Sequence, residues 1–457
     1  MQHSESSHSP VDIAIVGGGA SGVLLAAQLV RKGRLRVALI ERDAHPGLGI
    51  AYSTRCLGHL LNVRASDMTA LADEPDHFVQ WLTRDGRGFG PTNFVPRAIY
   101  GQYLQDLLAD AVRRSDGCLQ VIRGDVVAVR HKQDGVEVDI EDHVPLRARK
   151  AVLATGHRPP SKDSGAYHGN PWHDEAIAGL APDASVLLIG TSLTMIDVLI
   201  SLLEHGHKAP IVALSRRGLV PHCHPPAPVP SPKLDTSDLF AGRLSQRMAR
   251  FRGIVRAGVE WPGLMQLLRP HNNELWHGLD LDQRRRFLRH LRPWWDIHRH
   301  RVAPQIREQI DAAQARGQLS IISGRIEIGR TTDNEVDVTI IRRGSTEREQ
   351  HSFDRVIDCR GPRNEVEMQV PLHAQLVRDG KLRPDALNQG LDVAVDDALI
   401  GRDGTPSDRL FVLGPPTRGR YTEIVAIPDI RLQVADVANG LIAALQEPSG
   451  LVDSPPA

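Results

Sequence analysis

A glycine-rich turn near the start of the chain has the spacing of a phosphate-binding loop. The glycines Gly17, Gly19 and Gly22 follow the pattern G-x-G-x-x-G directly after an apolar run from Val11 to Val16. The first glycine permits a tight turn, the second lets a pyrophosphate approach the backbone, and the third lets a helix pack against the strand. A helix expected from Ala20 to Lys32 would direct its free N–H groups at the phosphates.

An acidic residue at the end of the next strand selects the nucleotide. Glu41 closes a strand predicted from Leu35, where a carboxylate accepts hydrogen bonds from both ribose hydroxyls and repels a 2′-phosphate. The pattern therefore predicts an adenosine site with free hydroxyls. FAD is favoured over NAD because this unit opens the chain and a second nucleotide unit follows. A glycine turn of purely structural use is the alternative.

A second strand–turn–helix unit begins at Ser185. Gly190, Thr191, Ser192 and Thr194 follow its strand and open a helix that is predicted to run to about His205. The full glycine set is absent, since Ser192 and Thr194 stand where glycines are expected. Hydroxyls and backbone N–H groups still receive phosphate. An ordinary unit without a ligand is the alternative.

Basic residues follow the next strand of this second unit. Ser215 ends the strand predicted from Ile211, and Arg216 and Arg217 follow it, at the place where a 2′-phosphate would be recognised. Guanidinium groups match phosphate geometry, so the pair favours NADPH, with NADH left open. A solvated turn or a contact to another ligand is the competing interpretation for the two arginines.

Composition excludes several classes of function. The 457 residues carry 55 basic and 55 acidic side chains, and only 4% are aromatic, so neither nucleic acid nor a membrane is an expected partner. No pair of the four cysteines forms a C-x-x-C motif, which argues against a disulfide reductase. No signal peptide is visible, and we expect a cytoplasmic protein.

The order of elements predicts an α/β protein with two dinucleotide-binding, Rossmann-like domains and a helical insertion. The FAD-binding domain is predicted at residues 11–165 and 350–447, and the NAD(P)-binding domain at 180–220 and 317–349. A proline-rich segment and helical signals assign 221–316 to the insertion. The tails, 1–10 and 448–457, are expected to be disordered.

Two further groups of residues could do chemistry. His222, Cys223 and His224 suggest a metal site, but no third ligand has a supporting spacing, so we predict no metal and choose His224 as the functional histidine. A histidine in a solvent-facing turn is the alternative. The stretch from Arg284 to Arg301 is rich in arginine and histidine, which fits either a solvated helical face or a cap that presents cations to an anionic substrate.

Most of the chain, roughly Val11 to Gln433, resembles a bacterial family of FAD/NAD(P)-binding proteins related to the two-dinucleotide-domain flavin monooxygenases. The matching segments are GGGASG (17–22), GIAYST (49–54), HLLNVRASDMTA (59–70), LATGHRPP (153–160), GTSLTMIDV (190–198), LSRRGLVPHCH (214–224), RFLRHLRPWWDIHRHRVAP (286–304) and LGPPTRGRYTEIVAIPDIR (413–431).

The resemblance implies roles for further residues. It places Ala154, Thr155 and Gly156 at the hinge between the two nucleotide domains, and Asn62, Val63 and Met68 near the isoalloxazine ring. Related enzymes often carry a Gly-Asp pair near the last strand, whereas here Gly414 is followed by Pro415. Glu423 and Asp429 are then alternative acids for a ribityl contact. The remaining residues of the predicted cofactor site are Ala20, Ser21, Arg42, Ala51, Tyr52 and Val126.

The implied activity is a monooxygenase reaction in which NADPH reduces the flavin and the reduced flavin uses O2 to oxygenate a small molecule. One activity assigned in that family is FAD-dependent hydroxylation of urate to 5-hydroxyisourate, which becomes the first substrate hypothesis. An N-hydroxylase or another monooxygenase, an electron-transfer reductase and a non-catalytic nucleotide-sensing protein are the alternatives.

Overall fold

Two mixed sheets, each with helices packed on it, form the frame of the molecule. The computed structural model describes residues 10–84, 86–157, 163–236, 238–361 and 370–446. Apart from Pro10, the two predicted tails lie outside these residues. The strands are β1 (Val11–Val16), β2 (Val37–Glu41), β3 (Leu119–Arg123), β4 (Val126–Lys132), β5 (Gly135–Ile140), β6 (Leu146–Leu153), β7 (Tyr167–His168), β8 (Val186–Ile189), β9 (Ile211–Ser215), β10 (Leu319–Thr331), β11 (Val336–Arg342), β12 (Glu349–Phe353), β13 (Arg355–Asp358), β14 (Ala398–Ile400) and β15 (Pro406–Val412).

Helices cover both sheets and form the insertion. They are α1 (Ala20–Lys32), α2 (Gly49–Tyr52), α3 (His77–Arg84), α4 (Arg97–Arg114), α5 (Leu193–Glu204), α6 (Leu244–Arg256), α7 (Trp261–Leu268), α8 (Asn272–His277), α9 (Leu281–Arg286), α10 (Arg292–Arg299), α11 (Pro304–Ala315), α12 (Pro371–Arg378) and α13 (Ile427–Gln446). A π-helical segment, Phe287–Leu291, joins α9 to α10.

The first sheet has the strand order β14-β15-β6-β1-β2-β3, with the β4–β5 hairpin paired to β6. Strands β1, β2, β3, β6 and β15 run parallel, so their carboxyl ends meet at one edge. Apolar side chains of α1, α4 and α13 bury one face, and those of the β4–β6 meander and α12 bury the other. Burial on both faces explains the nearly continuous apolar runs of β1 and β2.

The second sheet has the order β12-β11-β10-β9-β8-β13-β7. Strand β13 pairs with β8 in parallel, and β12 pairs with β11. The predicted boundary at residue 350 is therefore wrong, because it assigned these strands to the first domain. Neither β12, which is mostly polar, nor the short strand β13 carries a signal that identifies its partner sheet, and only the strand pairing decides it.

The helical insertion has a small core of its own. Leu239, Phe251, Leu264 and Leu268 are buried there by α6 and α7. Helix α11, which the sequence assigned to the same insertion, instead packs against α5 under the second sheet through Ile306 and its neighbours. The insertion is therefore shorter at its carboxyl end than predicted.

Local boundaries differ where a turn interrupts a periodic pattern. The periodic pattern of residues 103–113 by itself predicts a helix from Tyr103, but α4 begins at Arg97, directly after Pro96. Residues 121–129 alternate like a strand, but Gly124 divides them between β3 and β4, which pair with different partners. A Cβ at Gly124 would lie 2.4 Å from the Cγ2 atom of Ile140, so the close crossing of the two strands requires glycine.

Candidate nucleotide and substrate sites

The first glycine turn leaves no room for side chains. Gly17 has φ +104°, and a Cβ there would lie 2.5 Å from the carbonyl oxygen of Ala154 at the end of β6. A Cβ at Gly22 would lie 2.0 Å from the Gly17 oxygen, so this residue holds α1 against the turn. Gly19 is the N-cap residue of α1 and has no side chain to occupy the helix terminus. The free N–H groups of α1 are thus open to a ligand.

The carboxylate of Glu41 is held at the end of β2 by two backbone N–H groups. Gly18 donates to Oε2 over 2.6 Å, and Asp43 donates to Oε1 over 2.9 Å. Each carboxylate oxygen has two acceptor sites, so these bonds leave capacity for ribose hydroxyls. The position and the donor set match the role predicted for Glu41.

A cavity of about 400 Å3 extends from this turn along the carboxyl edge of the first sheet. Its size lies within the roughly 300–1,000 Å3 of small-molecule and cofactor sites. The glycine turn, with the free N–H groups of α1 beside it, and the adjacent Glu41 carboxylate fit a dinucleotide. The predicted residues that line the cavity are Gly17, Gly19, Ala20, Ser21, Glu41, Arg42, Ala51, Tyr52, Val126, Ala154, Thr155 and Gly156.

Sequence reasoning missed several polar residues of this cavity. Arg97 lines it and donates to Asp197 of α5 over 2.7 Å, which ties the first domain to the second. A cation in the first turn of a helix interacts unfavourably with the helix dipole and needs an acidic partner. This unfavourable position is the feature of the sequence that could have identified Arg97. His373 also lines the cavity, with Nε2 3.3 Å from the Thr155 hydroxyl. Burial, and then Arg418, lower the pKa of His157 to about 4.

The residues predicted near the isoalloxazine ring lie beside this cavity rather than in its lining. Met68 is buried in the core of the first domain. Val63 lines a second cavity, and the carbonyl of Asn62 lies 2.9 Å from Nε2 of His224. The N–H of Gly414 donates to Gln433, and Pro415, rather than Gly414, contributes to the lining. The cofactor contacts of these four residues stay predictions.

The two alternative acids both face the helical insertion. Glu423 accepts a hydrogen bond from the indole of Trp295 over 2.9 Å and lies 3.3 Å from Nε2 of His300. Asp429, in the first turn of α13, lies 3.6 Å from Arg299. Nearby cations lower the pKa of Glu423 although burial opposes them. Neither carboxylate lines the first cavity, because the cations of the insertion hold both of them.

The second glycine turn repeats the geometry of the first. Gly190 has φ +118°, and a Cβ there would lie 2.8 Å from the carbonyl oxygen of Cys359, after β13. The Thr191 hydroxyl donates to the carbonyl of Leu219 and contacts Ser215, so it fixes the following loop. Ser192 is the exposed N-cap residue of α5, and Thr194 lies in the first turn. The Ser192 hydroxyl is therefore the better placed of the two for a phosphate.

The arginine pair after β9 has free guanidinium groups. Ser215 accepts from the N–H of Gly218 over 3.0 Å, which shapes the turn. Arg216 is exposed and Arg217 half-exposed, and in the described part of the chain neither forms an ion pair. The geometry fits recognition of a 2′-phosphate, and that role stays a prediction.

His222, Cys223 and His224 lie in an extended segment that pairs with Val302. The backbone N–H of His224 donates to the carbonyl of Val302, and the backbone N–H of Val302 donates to the carbonyl of His222. Burial lowers the pKa of His224 to about 4, so its imidazole is neutral at pH 7. Among the described residues, no three His, Cys, Asp or Glu side chains are grouped to hold a metal ion.

Several arginines of the basic stretch point inward rather than forming a solvated face. Arg284 donates to the carbonyls of Trp276 and Leu279, and Arg292 pairs with Asp296 over 2.7 Å. Arg299 and Arg301 are only 10% and 8% exposed and line the second cavity with His224. The placement of these residues therefore favours the second interpretation of this stretch, a cap that covers a cavity and presents cations to it.

Comparison with known proteins bears on the first unit. Residues 14–158 match the model of a family described as FAD-NAD(P)-binding. This match confirms the prediction that the chain binds FAD and a nicotinamide nucleotide. No helix of the described residues is both long and apolar enough to cross a membrane.

Two curated relatives are monooxygenases by name. A rifampicin monooxygenase from Streptomyces venezuelae is 27% identical over 190 residues, which are 37% of this chain and 37% of that protein. A Baeyer-Villiger monooxygenase from Streptomyces coelicolor is 26% identical over 212 residues, 42% of this chain and 33% of that protein. The chain thus matches little more than a third of either relative.

Solved structures share the fold over nearly the whole chain. L-lysine 6-monooxygenase from Pseudomonas syringae has a TM-score of 0.63 at 16% identity, covering 95% of this chain and 99% of that one. The reduced form of ornithine hydroxylase from Pseudomonas aeruginosa has a TM-score of 0.62 at 15% identity, covering 96% and 100%. These likenesses confirm the predicted architecture of two dinucleotide-binding domains.

Proposed function

We propose that the protein is a FAD-dependent monooxygenase that consumes NAD(P)H and O2 to oxygenate a small molecule. One oxygen atom enters the substrate, the other leaves as water, and NAD(P)H supplies the two electrons. The observation that carries the proposal is the position of the second cavity. The first turn of α13 separates it from the cofactor cavity, since Ile427 and Ile430 line the first cavity and Asp429 pairs with an arginine of the second.

The residues of the chain would bind, orient and shield the reactants. Bound FAD would supply the oxygen chemistry. Gly17, Gly19 and Glu41 would hold its pyrophosphate and ribose, and the N-terminus of α13 would favour negative charge at the flavin end of the cavity. Apolar walls around Ile427 and Ile430 would exclude bulk water from that end. Gly190 and Ser192 would hold the pyrophosphate of the nicotinamide nucleotide.

A C-x-x-C pair is missing from the sequence, which speaks against dithiol chemistry on this scaffold. Cys223 is half-buried and Cys359 is buried, and burial raises the pKa of both thiols, which disfavours the reactive thiolate. An electron-transfer reductase with another acceptor is the main competing activity.

N-hydroxylation of an amino-acid amine is the first candidate reaction. It is supported by the full-length fold likeness to proteins named as lysine and ornithine hydroxylases. Hydroxylation of urate is the second candidate, supported by the sequence motifs that resemble the FAD/NAD(P)-binding family. Both substrates are small, polar and anionic in one part.

The test measures aerobic NADPH oxidation and O2 uptake by FAD-loaded protein with L-lysine, L-ornithine or urate, and identifies the product by mass spectrometry. We expect one of these compounds to stimulate both rates and to gain one oxygen atom. A Gly190→Ala variant, which should keep FAD but lose the nicotinamide site, is the control. Rapid electron transfer to ferricyanide without any oxygenated product would identify a reductase instead.

A further inference from the structure

The second cavity is cationic. Its volume is about 210 Å3, and its lining includes Arg64, Arg269, Arg299 and Arg301, with Asp67 as the acidic residue among them. Helix α7, the 3₁₀ turn Arg269–His271, the proline-rich segment and the loop after Leu61 enclose it. Several arginines around one small space repel each other, so something must hold them there.

Two of these arginines are held by neutral acceptors. Arg64 donates to the carbonyls of Thr92 over 2.6 Å and Pro225 over 2.8 Å. Arg301 donates to the carbonyls of His298 and Cys223, each over 2.9 Å. Carbonyl oxygens satisfy the N–H groups but do not cancel the charge. Both side chains are therefore fixed in place and remain net positive.

Arg299 is balanced only in part. It lies 3.6 Å from Glu423 and 3.6 Å from Asp429, and its Nε makes no hydrogen bond to either. His300 lies 3.3 Å from Glu423, but burial lowers the pKa of its imidazole, so it adds no positive charge to the group. The acids behind the cavity therefore position Arg299 but do not neutralise the whole cluster.

The guanidinium group of Arg269 has no hydrogen bond and no ion pair with any residue that the structure describes, although the side chain is half-buried. Burial, and then the neighbouring Arg299, lower the pKa of this guanidinium, and the charges of Asp429 and Asp67 offset only part of that effect. Partial removal of this cation from water therefore costs free energy, and an anionic ligand would recover it. A guanidinium also presents parallel N–H donors that match a carboxylate.

We propose that this cavity binds the anionic group of the substrate, and that Arg269 is the residue that recognises it. The ligand is a compact organic anion, a carboxylate or an ionised heterocycle, because the cavity is smaller than the roughly 300 Å3 at which drug-sized sites begin. The inference rests on the proposed function in one respect: the molecule that binds in this cavity is taken to be the compound that the enzyme oxygenates. Binding itself requires no turnover.

The experiment titrates FAD-loaded protein, without NADPH, by calorimetry. The probes are two pairs that differ in charge: L-ornithine with 1,4-diaminobutane, and urate with hypoxanthine. We expect at least one of the two compounds that carry an anionic group, L-ornithine or urate, to bind at least roughly 10-fold more tightly than its counterpart without that group, which corresponds to about 1.4 kcal/mol. The ornithine and urate arms distinguish a carboxylate from an ionised heterocycle.

Variants assign the recognition to one side chain. Arg269→Gln should weaken binding of the anion at least roughly 10-fold, and Arg269→Lys should restore part of it. Arg252→Gln, which removes an exposed arginine of α6 outside the cavity, should change nothing. Bound FAD, measured by its visible absorbance, reports whether each variant is folded.

Three outcomes overturn the inference: neither compound that carries an anionic group binds, the counterpart without that group binds as tightly, or Arg269→Gln binds as wild type does. Binding that depends on Arg269, without any oxygenated product in the aerobic assay, would support the anion site and reject the monooxygenase. A product formed at equal kcat/KM by wild type and Arg269→Gln would support the monooxygenase and reject the anion site.

Discussion

The two nucleotide units share a turn but differ at the following strand end. In both, the first glycine has a positive φ, +104° at Gly17 and +118° at Gly190, and packs against a carbonyl of the neighbouring parallel strand. The strand that follows ends in Glu41 in the first unit and is followed by Arg216 and Arg217 in the second. One backbone solution to phosphate binding is thus combined with opposite charges at the strand end, which predicts that the two units bind different nucleotides.

The two units also differ in the number of glycines in the phosphate-binding turn. The first has glycine at all three positions, whereas the second has glycine only at the first, with Ser192 and Met195 at the other two. Three glycines allow the closest approach of the pyrophosphate, as a permanently bound cofactor requires. The second turn keeps side chains that a nucleotide must pass, which suits a substrate that arrives and leaves.

The largest expected effect comes from the two glycines. Gly17→Ala should lower FAD affinity at least roughly 100-fold, since backbone strain alone costs about 1–3 kcal/mol and the clash with Ala154 adds to it. Gly190→Ala should abolish NADPH binding and leave FAD bound. Both are measured by FAD absorbance and by NADPH titration.

Gly117→Ala is the matched control for these two variants. Gly117 has φ +83° but no atom within 4 Å of an added Cβ, so it tests backbone strain without a clash. Normal FAD affinity in Gly17→Ala would contradict the assignment of the first cavity. Loss of FAD in Gly190→Ala would show that the two units do not bind independently.

The next effect concerns the acid of the first unit. Glu41→Ala should weaken FAD binding roughly 10–100-fold, because hydrogen bonds to a charged group contribute about 1.5–3 kcal/mol. The dissociation constant is measured by fluorescence titration of the apoprotein. Glu141→Ala, at an exposed position after β5, is the control. If Glu41→Ala and Glu141→Ala bind FAD with equal affinity, the Glu41 carboxylate has no role in ribose binding.

A smaller effect tests the arginines of the second unit. The double variant Arg216→Gln with Arg217→Gln should raise the KM for NADPH about 10-fold and leave that for NADH unchanged, since only NADPH carries a 2′-phosphate. Steady-state kinetics with both nucleotides measure the ratio. The double variant Arg252→Gln with Arg256→Gln, which removes two exposed arginines of α6, is the charge-matched control. A parallel rise of both KM values would show that the pair binds another part of the nucleotide.

The smallest effect is expected at the hydroxyl that opens α5. Ser192→Ala should raise the KM for NADPH roughly 2–10-fold, the range of one neutral hydrogen bond of about 0.5–1.5 kcal/mol. FAD content in the same variant is the internal control. No change in the KM would indicate that backbone N–H groups alone hold the phosphate.

Short-range patterns determined the two nucleotide units. Helix α1 begins and ends at the predicted residues, and β9 has the predicted bounds. The glycine spacing and Glu41 follow from local geometry, because a turn, its helix and the next strand are neighbours in sequence. The same motifs are the basis of the family resemblance, and together they predicted the two cofactors.

Tertiary structure decided what distant segments bring together. Arg97 and Asp197 meet because α4 and α5 pack across the two domains, and no local pattern reports that contact. The carboxylates of Glu423 and Asp429 face the insertion because cations of α10 lie there. The sequence shows that these residues are acidic, but only the packing of the insertion determines which cavity they lie beside.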